Sequence, residues 1–366
     1  MKILFVIDRI ELKYFEFNDL VTNFWLIKEF LKRGQDVFVT TIDKLSLKSG
    51  IAYASGYDSF IKGEDICFDK TKEFAQKIEN FQLVMFRPDP PVDLDYINAT
   101  YILDFVNRDK TVILNDTKSI RNFNEKLHAV LFKELMPTNI ITASKSDIIE
   151  FLKEQNEIIL KPLNGCYGSG VMYLKNGDKN TVPVINTITK NETNMVMVQK
   201  YLPNAMNGDK RIMIIGDKVL DYCVRKLPSN DDFKFNDHCD ANVIKDVLTP
   251  SEKEKFTQLA KGLNNLGIFM AGLDVVDEQI LEINVTSPCY FIREVNNAFG
   301  TKIEKPIVDY ILSTVENKLF SLNSWKYFYI NIIKCICIKI STRCNHCSII
   351  STIFHRWCTN SIAIFF

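Results

Sequence analysis

The first 41 residues alternate between apolar strands and a helical segment, and this alternation limits the folds that the chain can adopt. Ile3 to Ile7 is predicted to be a strand, Asp19 to Arg33 a helix that ends before Gly34, and Asp36 to Thr41 a second strand. Cations in the last helical turn and a glycine just beyond it are typical of helix C-termini. A strand–helix–strand unit of this kind favours a parallel sheet covered by helices, so we expect an α/β fold.

A later apolar segment, Gln82 to Phe86, predicts another buried strand, and Arg87 follows it directly. The prolines at 88, 90 and 91 end the strand because proline cannot donate a hydrogen bond to a sheet. Ligands of open α/β sheets bind beyond the carboxyl ends of the strands. Arg87 is therefore a candidate partner for a substrate carboxylate, and the alternative is a pair with Asp89 or Asp93 at the rim.

A lysine and a glycine-rich loop mark a second region. The predicted strand Glu157 to Pro162 contains Lys161, and glycines recur in the loop that follows. Backbone N–H groups of such a loop can approach a phosphate closely. The lysine precedes the glycines, so this is not a P-loop, and a simple hairpin turn is the alternative. We interpret the loop as a nucleotide-binding element with the candidate residues Gly165, Gly168, Ser169 and Gly170.

Two later strand ends carry further candidates. The chain leaves a predicted strand through Gln199, Lys200, Tyr201 and Leu202 and meets a proline at once, which can leave backbone groups unpaired for an adenine edge. A turn with Asp209, Lys210 and Arg211 leads into the next strand. Lys210 and Arg211 are candidate phosphate ligands, although basic residues at the start of a strand are commonly solvated.

The segment from Gly272 to Pro288 predicts two strands joined by a tight turn at Asp277 and Glu278. Side chains two residues apart on a strand share a face, so Glu282 and Asn284 are expected to point together. The opposite face is expected to hold Leu281, Ile283 and Val285.

Asp274, on the first of these strands, adds a second carboxylate to the same region. Two carboxylates and an amide oxygen suit Mg²⁺ when phosphate oxygens and water complete the coordination. The alternative is an ordinary hairpin with a polar outer face.

Charge and composition exclude several partners. Lys and Arg together number 45, as do Asp and Glu, so the chain has no net charge to attract nucleic acid or an anionic membrane. The apolar run at the N-terminus is too short for a signal peptide. The cysteines before residue 300 lack disulfide-framework spacing, as expected of reduced thiols. We therefore expect a cytoplasmic protein that binds neither nucleic acid nor membrane.

The order of these motifs is more specific than any one of them. Asn124 to Leu127, the Lys161 strand with its glycine loop, Gln199 to Pro203, Gly208 to Arg211, and the 272–288 hairpin follow one another. In this order they resemble the ATP-grasp ligases and, within them, the bacterial glutathione synthetases, over roughly residues 1 to 319. The resemblance implies an ATP-grasp fold after an N-terminal Rossmann-like (pre-ATP-grasp) domain with a parallel sheet. It divides the chain into a substrate-binding domain (1–122), a central lobe (123–203) and a C-terminal lobe with the metal site (204–319).

The resemblance also implies a reaction. ATP, the co-substrate, would transfer its γ-phosphoryl group to the carboxylate of γ-glutamylcysteine, and the glycine amine would attack the acyl phosphate to give glutathione, ADP and phosphate. Catalysis in such a reaction is mostly positioning and charge neutralisation. Mg²⁺ or Mn²⁺ would assist. The implied partners are these small molecules, and the implied assembly is a homo-oligomer, a tetramer.

Residue roles follow from the same resemblance. ATP would be bound by Lys126, Lys161, Gly165, Gly168, Ser169, Gly170, Gln199, Lys200, Tyr201, Leu202, Asp209 and Lys210. The metal ligands would be Asp274, Glu282 and Asn284. The dipeptide would contact Arg87, Asn284 and Ser287, and the catalytic residues would be Arg87, Arg211 and Lys226.

The chain departs from the family pattern in several places. A paired-glycine loop is expected after Leu227-Pro228, but Lys234 to Asn242 stands there instead. The arginine expected just before that step is Lys226, with Arg225 one place early, and lysine does not reproduce an arginine fork.

Two more departures lie elsewhere. A lysine pair is missing at Phe15 to Asp19, and one residue is inserted between Pro288 and Ile292. Two alternatives to a tripeptide ligase therefore stay open: an ATP-grasp amino-acid ligase with another acceptor, and a non-catalytic ATP-binding protein.

The last segment, 320–366, has no Asp or Glu and is rich in isoleucine and cysteine. A membrane anchor needs about 20 consecutive apolar residues, and basic residues interrupt this stretch every few positions. Zinc binding is an alternative, but the spacing is not that of a standard zinc finger. The residues concerned are Cys344, His346, Cys347, His355 and Cys358. We expect a terminal extension outside the fold.

Overall fold

The computed structural model describes residues 1–8, 21–165, 168–228, 243–287 and 290–321. Compact packing divides the chain into two units, Met1–Leu312 and Ser313–Phe366, and all the sheets lie in the first. Several sequence expectations fall outside the described residues: the start of the first helix at Asp19, the changed segments 15–19 and 234–242, and the possible zinc ligands of the tail.

The N-terminal part of the first unit is a seven-stranded sheet in the order β3-β4-β2-β1-β6-β7, with β5 paired to β4. Its strands are β1 (Lys2–Ile7), β2 (Asp36–Thr41), β3 (Leu45–Lys48), β4 (Ile51–Lys62), β5 (Asp65–Lys77), β6 (Leu83–Phe86) and β7 (Val112–Leu114). Neighbours among β2, β1, β6 and β7 are parallel, as the opening pattern predicted. Helix α1 (Thr22–Lys32) connects β1 to β2, α2 (Leu94–Leu103) connects β6 to β7, and α3 (Thr117–Arg121) follows β7.

The hairpin of β4 and β5 is antiparallel and was not predicted. Its inward positions include Ala52, Ala54 and Gly56, whose small side chains give little apolar periodicity. Gly56 is required there because a Cβ atom would lie 2.0 Å from the Val39 carbonyl oxygen on β2. The small residues thus allow β4 and β2 to approach closely. Because they give little apolar periodicity, the sequence did not predict this strand.

A four-stranded antiparallel sheet follows, in the order β10-β9-β11-β8. Its strands are β8 (Asn139–Thr142), β9 (Glu157–Pro162), β10 (Met172–Lys175) and β11 (Val196–Lys200). Helices α4 (Lys145–Gln155) and α5 (Thr181–Ile188) cover it around a separate core that includes Ile148, Leu160 and Val198. Ser144 caps α4 by accepting a hydrogen bond from the Asp147 N–H.

The third sheet has five strands in the order β14-β13-β12-β15-β16. Its strands are β12 (Asp209–Ile215), β13 (Lys218–Lys226), β14 (Val243–Asp246), β15 (Met270–Val276) and β16 (Gln279–Asn284). Helices α6 (Pro250–Asn265) and α7 (Phe291–Phe299) accompany it, and a further helix covers residues 304–321. The predicted turn between β15 and β16 is confirmed, since Asp277 and Glu278 both have positive φ, at 52° and 60°.

Asn115 joins the first sheet to the third. Its side-chain amide donates to the carbonyl oxygens of Met270 and Val285, at 2.8 and 2.9 Å, and its carbonyl accepts from the N–H groups of Phe269 and Met270. The side chain is buried and satisfied at both ends, so it fixes the two sheets relative to each other.

No helix in the described ranges is both long enough and apolar enough to cross a bilayer. In the same ranges, Cys67 and Cys223 are free thiols.

Candidate nucleotide and metal site

Lys126 links the glycine loop to the β15–β16 hairpin. Its ammonium lies 2.7 Å from the Gly165 carbonyl oxygen and 2.8 Å from Glu282 Oε1. The turn that presents Lys126 is held by Asn124, whose side-chain oxygen accepts from the N–H groups of Lys126 and Leu127. We call the segment between β7 and β8 the connector; a cation is thus held where the glycine loop, this connector and β16 meet.

Lys161, on β9, is a second buried cation beside the same hairpin. Its ammonium donates to Gln199 Oε1 at 2.9 Å and to the Leu281 carbonyl at 3.3 Å. Burial lowers the pKa of the Lys161 ammonium to about 8, although Glu282 acts in the opposite direction. Lys161 therefore still carries its charge at neutral pH.

The contact with Leu281 depends on a bulge that the sequence did not predict. The ladder pairs Val275 with Ile280 and Asp274 with Glu282, so Leu281 is an extra residue. Ile283 and Val285 are buried as expected, but Leu281 is only half-buried. The bulge interrupts the regular alternation of side chains along β16 at Leu281.

The three predicted metal ligands come together across β15 and β16. Asp274 and Glu282 are directly paired, and Asn284 Nδ2 lies 3.1 Å from Asp274 Oδ2. The other carboxylate oxygen of Asp274 accepts from Arg211 Nε at 3.0 Å. Burial would raise the pKa of Asp274, but Arg211 outweighs it and holds that pKa below its usual value, so Asp274 is ionised.

These side chains fit a hard divalent cation. Carboxylate and amide oxygens are the ligands of Mg²⁺ and Mn²⁺, and here they lie on adjacent strands. No group of three or more His, Cys, Asp or Glu side chains in the described ranges could hold a metal by itself. A cation here would therefore need phosphate oxygens or water as additional ligands.

A second charged group surrounds Lys226. Its ammonium lies 3.0 Å from Glu294 Oε1 on α7, and its backbone pairs with Asp209 across β12 and β13. Burial and the neighbouring Asp274 raise the pKa of Asp209 to about 7, against the opposing effect of Arg211 and Lys226. Sequence analysis gave Glu294 no role, because no motif marks a carboxylate that serves only to pair with Lys226.

The structure does not bring Lys210 to this group. Successive side chains of a strand point to opposite faces, so Lys210 points away from Asp209 and Arg211. Its ammonium is bound by both carboxylate oxygens of Glu252, at 2.8 and 3.0 Å, and by the Val247 carbonyl. The side chains of Lys210 and Glu252 are both buried at the start of α6, so Lys210 lies outside the proposed site.

The glycine loop and the strand exit carry the remaining predicted nucleotide residues. Gly168 and Gly170 have φ of 66° and 73°, and a Cβ atom on Gly170 would lie 2.9 Å from Pro162 Cγ. Ser169 lies between these glycines, and Cys166 and Tyr167 fall outside the described residues.

At the strand exit, Gln199 is buried and Lys200 is exposed. The N–H groups of Lys200 and Tyr201 bond to the carbonyls of Thr138 and Glu157, so neither is open to an adenine edge. The Tyr201 ring contacts that of Tyr173, and the Leu202 carbonyl accepts from Ala205. Other groups of the segment would have to contact an adenine.

The predicted substrate residues lie at the junction of the first and third sheets. Arg87 is fully buried at the end of β6, not at a rim. The carboxylate of Glu125 accepts from the N–H groups of Val285 and Thr286 and from the Thr286 hydroxyl, which fixes the chain just before Ser287. Burial and Glu282 raise the pKa of Glu125 to about 7. Glu125 stands inside the Asn124 to Leu127 motif, but a carboxylate whose partners are backbone N–H groups and a hydroxyl gives no sequence signal.

Comparisons with known families give matches over most of the chain. The N-terminal domain of prokaryotic glutathione synthetase matches residues 1–121, and the ATP-grasp domain of prokaryotic glutathione synthetase matches residues 125–300. The glutathione synthetase of Neisseria meningitidis serogroup A is 33% identical over 300 residues, which cover 80% of this chain and 92% of that protein. That of Vibrio vulnificus is 33% identical over 291 residues, covering 79% and 92%.

Solved structures show the same fold at low identity. D-cycloserine synthetase DcsG aligns with a TM-score of 0.59 and 15% identity over 86% of this chain and 99% of that one. The ATP-grasp ligase PsnB, solved with a minimal precursor, Mg and ADP, aligns with a TM-score of 0.58 and 16% identity over 86% and 97%. The predicted ATP-grasp fold is thereby confirmed.

Proposed function

The chain belongs to the prokaryotic glutathione synthetase family, and from this premise we propose that it joins γ-glutamylcysteine to glycine with ATP hydrolysed to ADP and phosphate. It is an ATP-dependent ligase with the ATP-grasp fold. The observation that carries the proposal is the convergence of two buried lysines, Lys126 and Lys161, on the strand pair that also bears Asp274 and Glu282. Cations beside paired carboxylates suit a polyphosphate with a divalent metal.

We propose that the two lysines hold phosphate oxygens of ATP. Lys126 is now bound to Glu282 and Gly165, and Lys161 to Gln199 and Leu281. Each would exchange part of these contacts for phosphate contacts. The glycine loop would add backbone N–H donors, since Gly168 and Gly170 adopt positive φ without strain.

The acid substrate would lie toward Arg87 and Ser287. One oxygen of its carboxylate would attack the γ-phosphorus while ADP leaves. The glycine amine would then attack the acyl carbon of the resulting acyl phosphate, inorganic phosphate would leave, and the amine would lose a proton. Arg211 and Lys226 would balance the charge that shifts between these oxygens, because both lie in the charged group around Asp274 and Asp209.

A divalent metal held by Asp274, Glu282 and Asn284 would supply charge neutralisation at the phosphates. We propose Mg²⁺ or Mn²⁺, a cytoplasmic location and a homo-oligomer, the last from the family resemblance. We also keep the proposed division at residues 1–122, 123–203 and 204–319, because the three sheets fall within these ranges.

Phosphate release by the purified chain tests the proposal. Release should require ATP, Mg²⁺, γ-glutamylcysteine and glycine together, and the product should have the mass of glutathione. Lys161→Met should abolish most of it, whereas Lys253→Met, which removes a largely exposed lysine, should not. Phosphate release with another amine but not with glycine would support a ligase that uses a different acceptor. ATP binding without any phosphate release would contradict enzymatic function.

A further inference from the structure

Tyr96 is a buried tyrosine beside the predicted substrate residues. It lies in the first turn of α2, where its N–H donates to Asp93 Oδ1 at 2.9 Å. Its ring packs edge-on against Phe86, with centroids 5.2 Å apart, and Phe86 directly precedes Arg87. The residue is 1% exposed, and its hydroxyl has no hydrogen-bond partner among the described residues.

A buried hydroxyl without a partner is costly. It has lost its hydrogen bonds to water without gaining others, and most buried polar atoms in proteins are bonded. Phenylalanine would make the same ring contacts with Phe86 and avoid this cost. Within the part of the chain that the structure describes, the hydroxyl has no partner, so a bound ligand can supply one.

The surroundings of the hydroxyl indicate what that partner is. Burial and the charges of Glu125 and Asp89 raise its pKa, while Arg87 opposes them, so the hydroxyl stays protonated and can donate. Glu125 is bonded to Thr286, next to Ser287. Tyr96 thus lies near both Arg87, at the end of a strand of the first sheet, and Glu125, which binds the segment before Ser287.

We propose that the Tyr96 hydroxyl is a further binding group for the acid substrate and donates a hydrogen bond to a carboxylate of that substrate beside Arg87. This inference rests on the proposed function. Arg87 supplies charge, and Tyr96 supplies a directional donor from a helix fixed on the same strand end. Such a donor in a buried site distinguishes a carboxylate from a neutral group of similar size.

Tyr96→Phe tests the inference because it removes one oxygen atom and keeps the ring. The KM for γ-glutamylcysteine should rise about 10-fold or more, as expected for a lost hydrogen bond to a charged group. The KM for ATP should stay within about 2-fold, and the melting temperature should be unchanged or higher, since an unsatisfied hydroxyl is removed. Tyr101→Phe, on the same helix but 51% exposed, is the matched control and should change none of these values.

Direct calorimetry of dipeptide binding separates this inference from the proposed function. If wild type binds the dipeptide but makes no glutathione, the proposed reaction fails while the inference is still decided by the affinity of Tyr96→Phe. Equal dipeptide affinity in wild type and Tyr96→Phe overturns the inference. A fall in the stability of Tyr96→Phe would also overturn the inference, because it would show that the hydroxyl has a partner within the fold. Failure of the wild-type protein to bind the dipeptide would overturn it as well.

Discussion

At the scale of single residues, the site is a set of opposite charges that already satisfy one another. Lys126 is paired with Glu282, Arg211 with Asp274, and Lys226 with Glu294. A buried charge needs a partner or it is strongly destabilising. The groups proposed to bind phosphate and metal therefore hold each other in place before any ligand arrives, and ligands must compete for them.

Glu282→Gln should lower turnover far more than ATP affinity. The amide oxygen still accepts from Lys126, but one of the two carboxylate charges near the proposed metal is lost. We expect Mn²⁺ affinity in the presence of ATP, measured by electron paramagnetic resonance, to fall by at least about 10-fold, and turnover at limiting Mg²⁺ to fall with it.

The control for this variant is Glu278→Gln, in the exposed turn of the same hairpin, where the carboxylate contacts Lys255 and Ser251. It should leave metal affinity unchanged. If Glu282→Gln shifts stability by less than about 0.5 kcal/mol and leaves both metal affinity and turnover intact, the hairpin is only a polar surface.

ATP affinity should depend on pH through Lys161, whose pKa is lowered by burial to about 8. Only the protonated ammonium attracts phosphate, so affinity should begin to fall as the pH approaches 8 and should fall above it by up to about 10-fold per pH unit. Titrating ATP binding by fluorescence between pH 6.5 and 9.5 measures this. Lys161→Arg keeps a charge throughout that range, and an equal fall in this variant would assign the effect to another group.

At the scale of elements, the alternation of side chains along strands decides which residues reach the site. On β12 it puts Asp209 and Arg211 on one face and Lys210 on the other, where Lys210 binds Glu252 in the first turn of α6. On β16 the bulge at Leu281 turns that carbonyl toward Lys161. The turn and the strands of this hairpin were predictable from the polar dipeptide and its apolar flanks, whereas the bulge was not, because it depends on pairing with β15.

Lys210→Met should destabilise the fold. It would leave the buried Glu252 carboxylate without its cation, and loss of one partner of a buried pair costs about 3–5 kcal/mol. Chemical denaturation measures the change. Lys253 lies on the same helix as Glu252, is exposed and pairs with Asp221 on β13. Lys253→Met should therefore cost less than about 0.5 kcal/mol. If Lys210→Met is stable but binds ATP more weakly, Lys210 belongs to the ATP site.

At the scale of the whole molecule, the site exists only because three sheets meet. Lys126 comes from the connector, Lys161 from the second sheet, and Asp274 with Glu282 from the third. Asn115 holds the first sheet to the third through four buried hydrogen bonds, and Glu125 holds the connector to the segment before Ser287. The geometry of the site thus depends on contacts between sheets that are far apart in sequence.

Removing residues 322–366 should leave folding and ATP affinity unchanged. The family matches and all the proposed site residues lie at or before residue 300. Expression of residues 1–321, followed by thermal melting and ATP titration, measures both quantities against the full chain. Loss of ATP-binding protein on truncation would show that the last segment contributes to the fold, contrary to this expectation.

The sequence by itself determined the α/β class, the parallel strands of the first sheet, the hairpin with Asp277 and Glu278 in its turn, and the family. These features depend on local periodicity, turn chemistry and motif order, which are written along the chain. Only the tertiary structure decided which charges face one another. The pairing of Lys226 with Glu294, the turning of Lys210 toward Glu252 and the burial of Tyr96 beside Arg87 arise from contacts between distant elements. Such contacts depend on the face and register of each element, and residues far apart in sequence give no local pattern from which these contacts could be predicted.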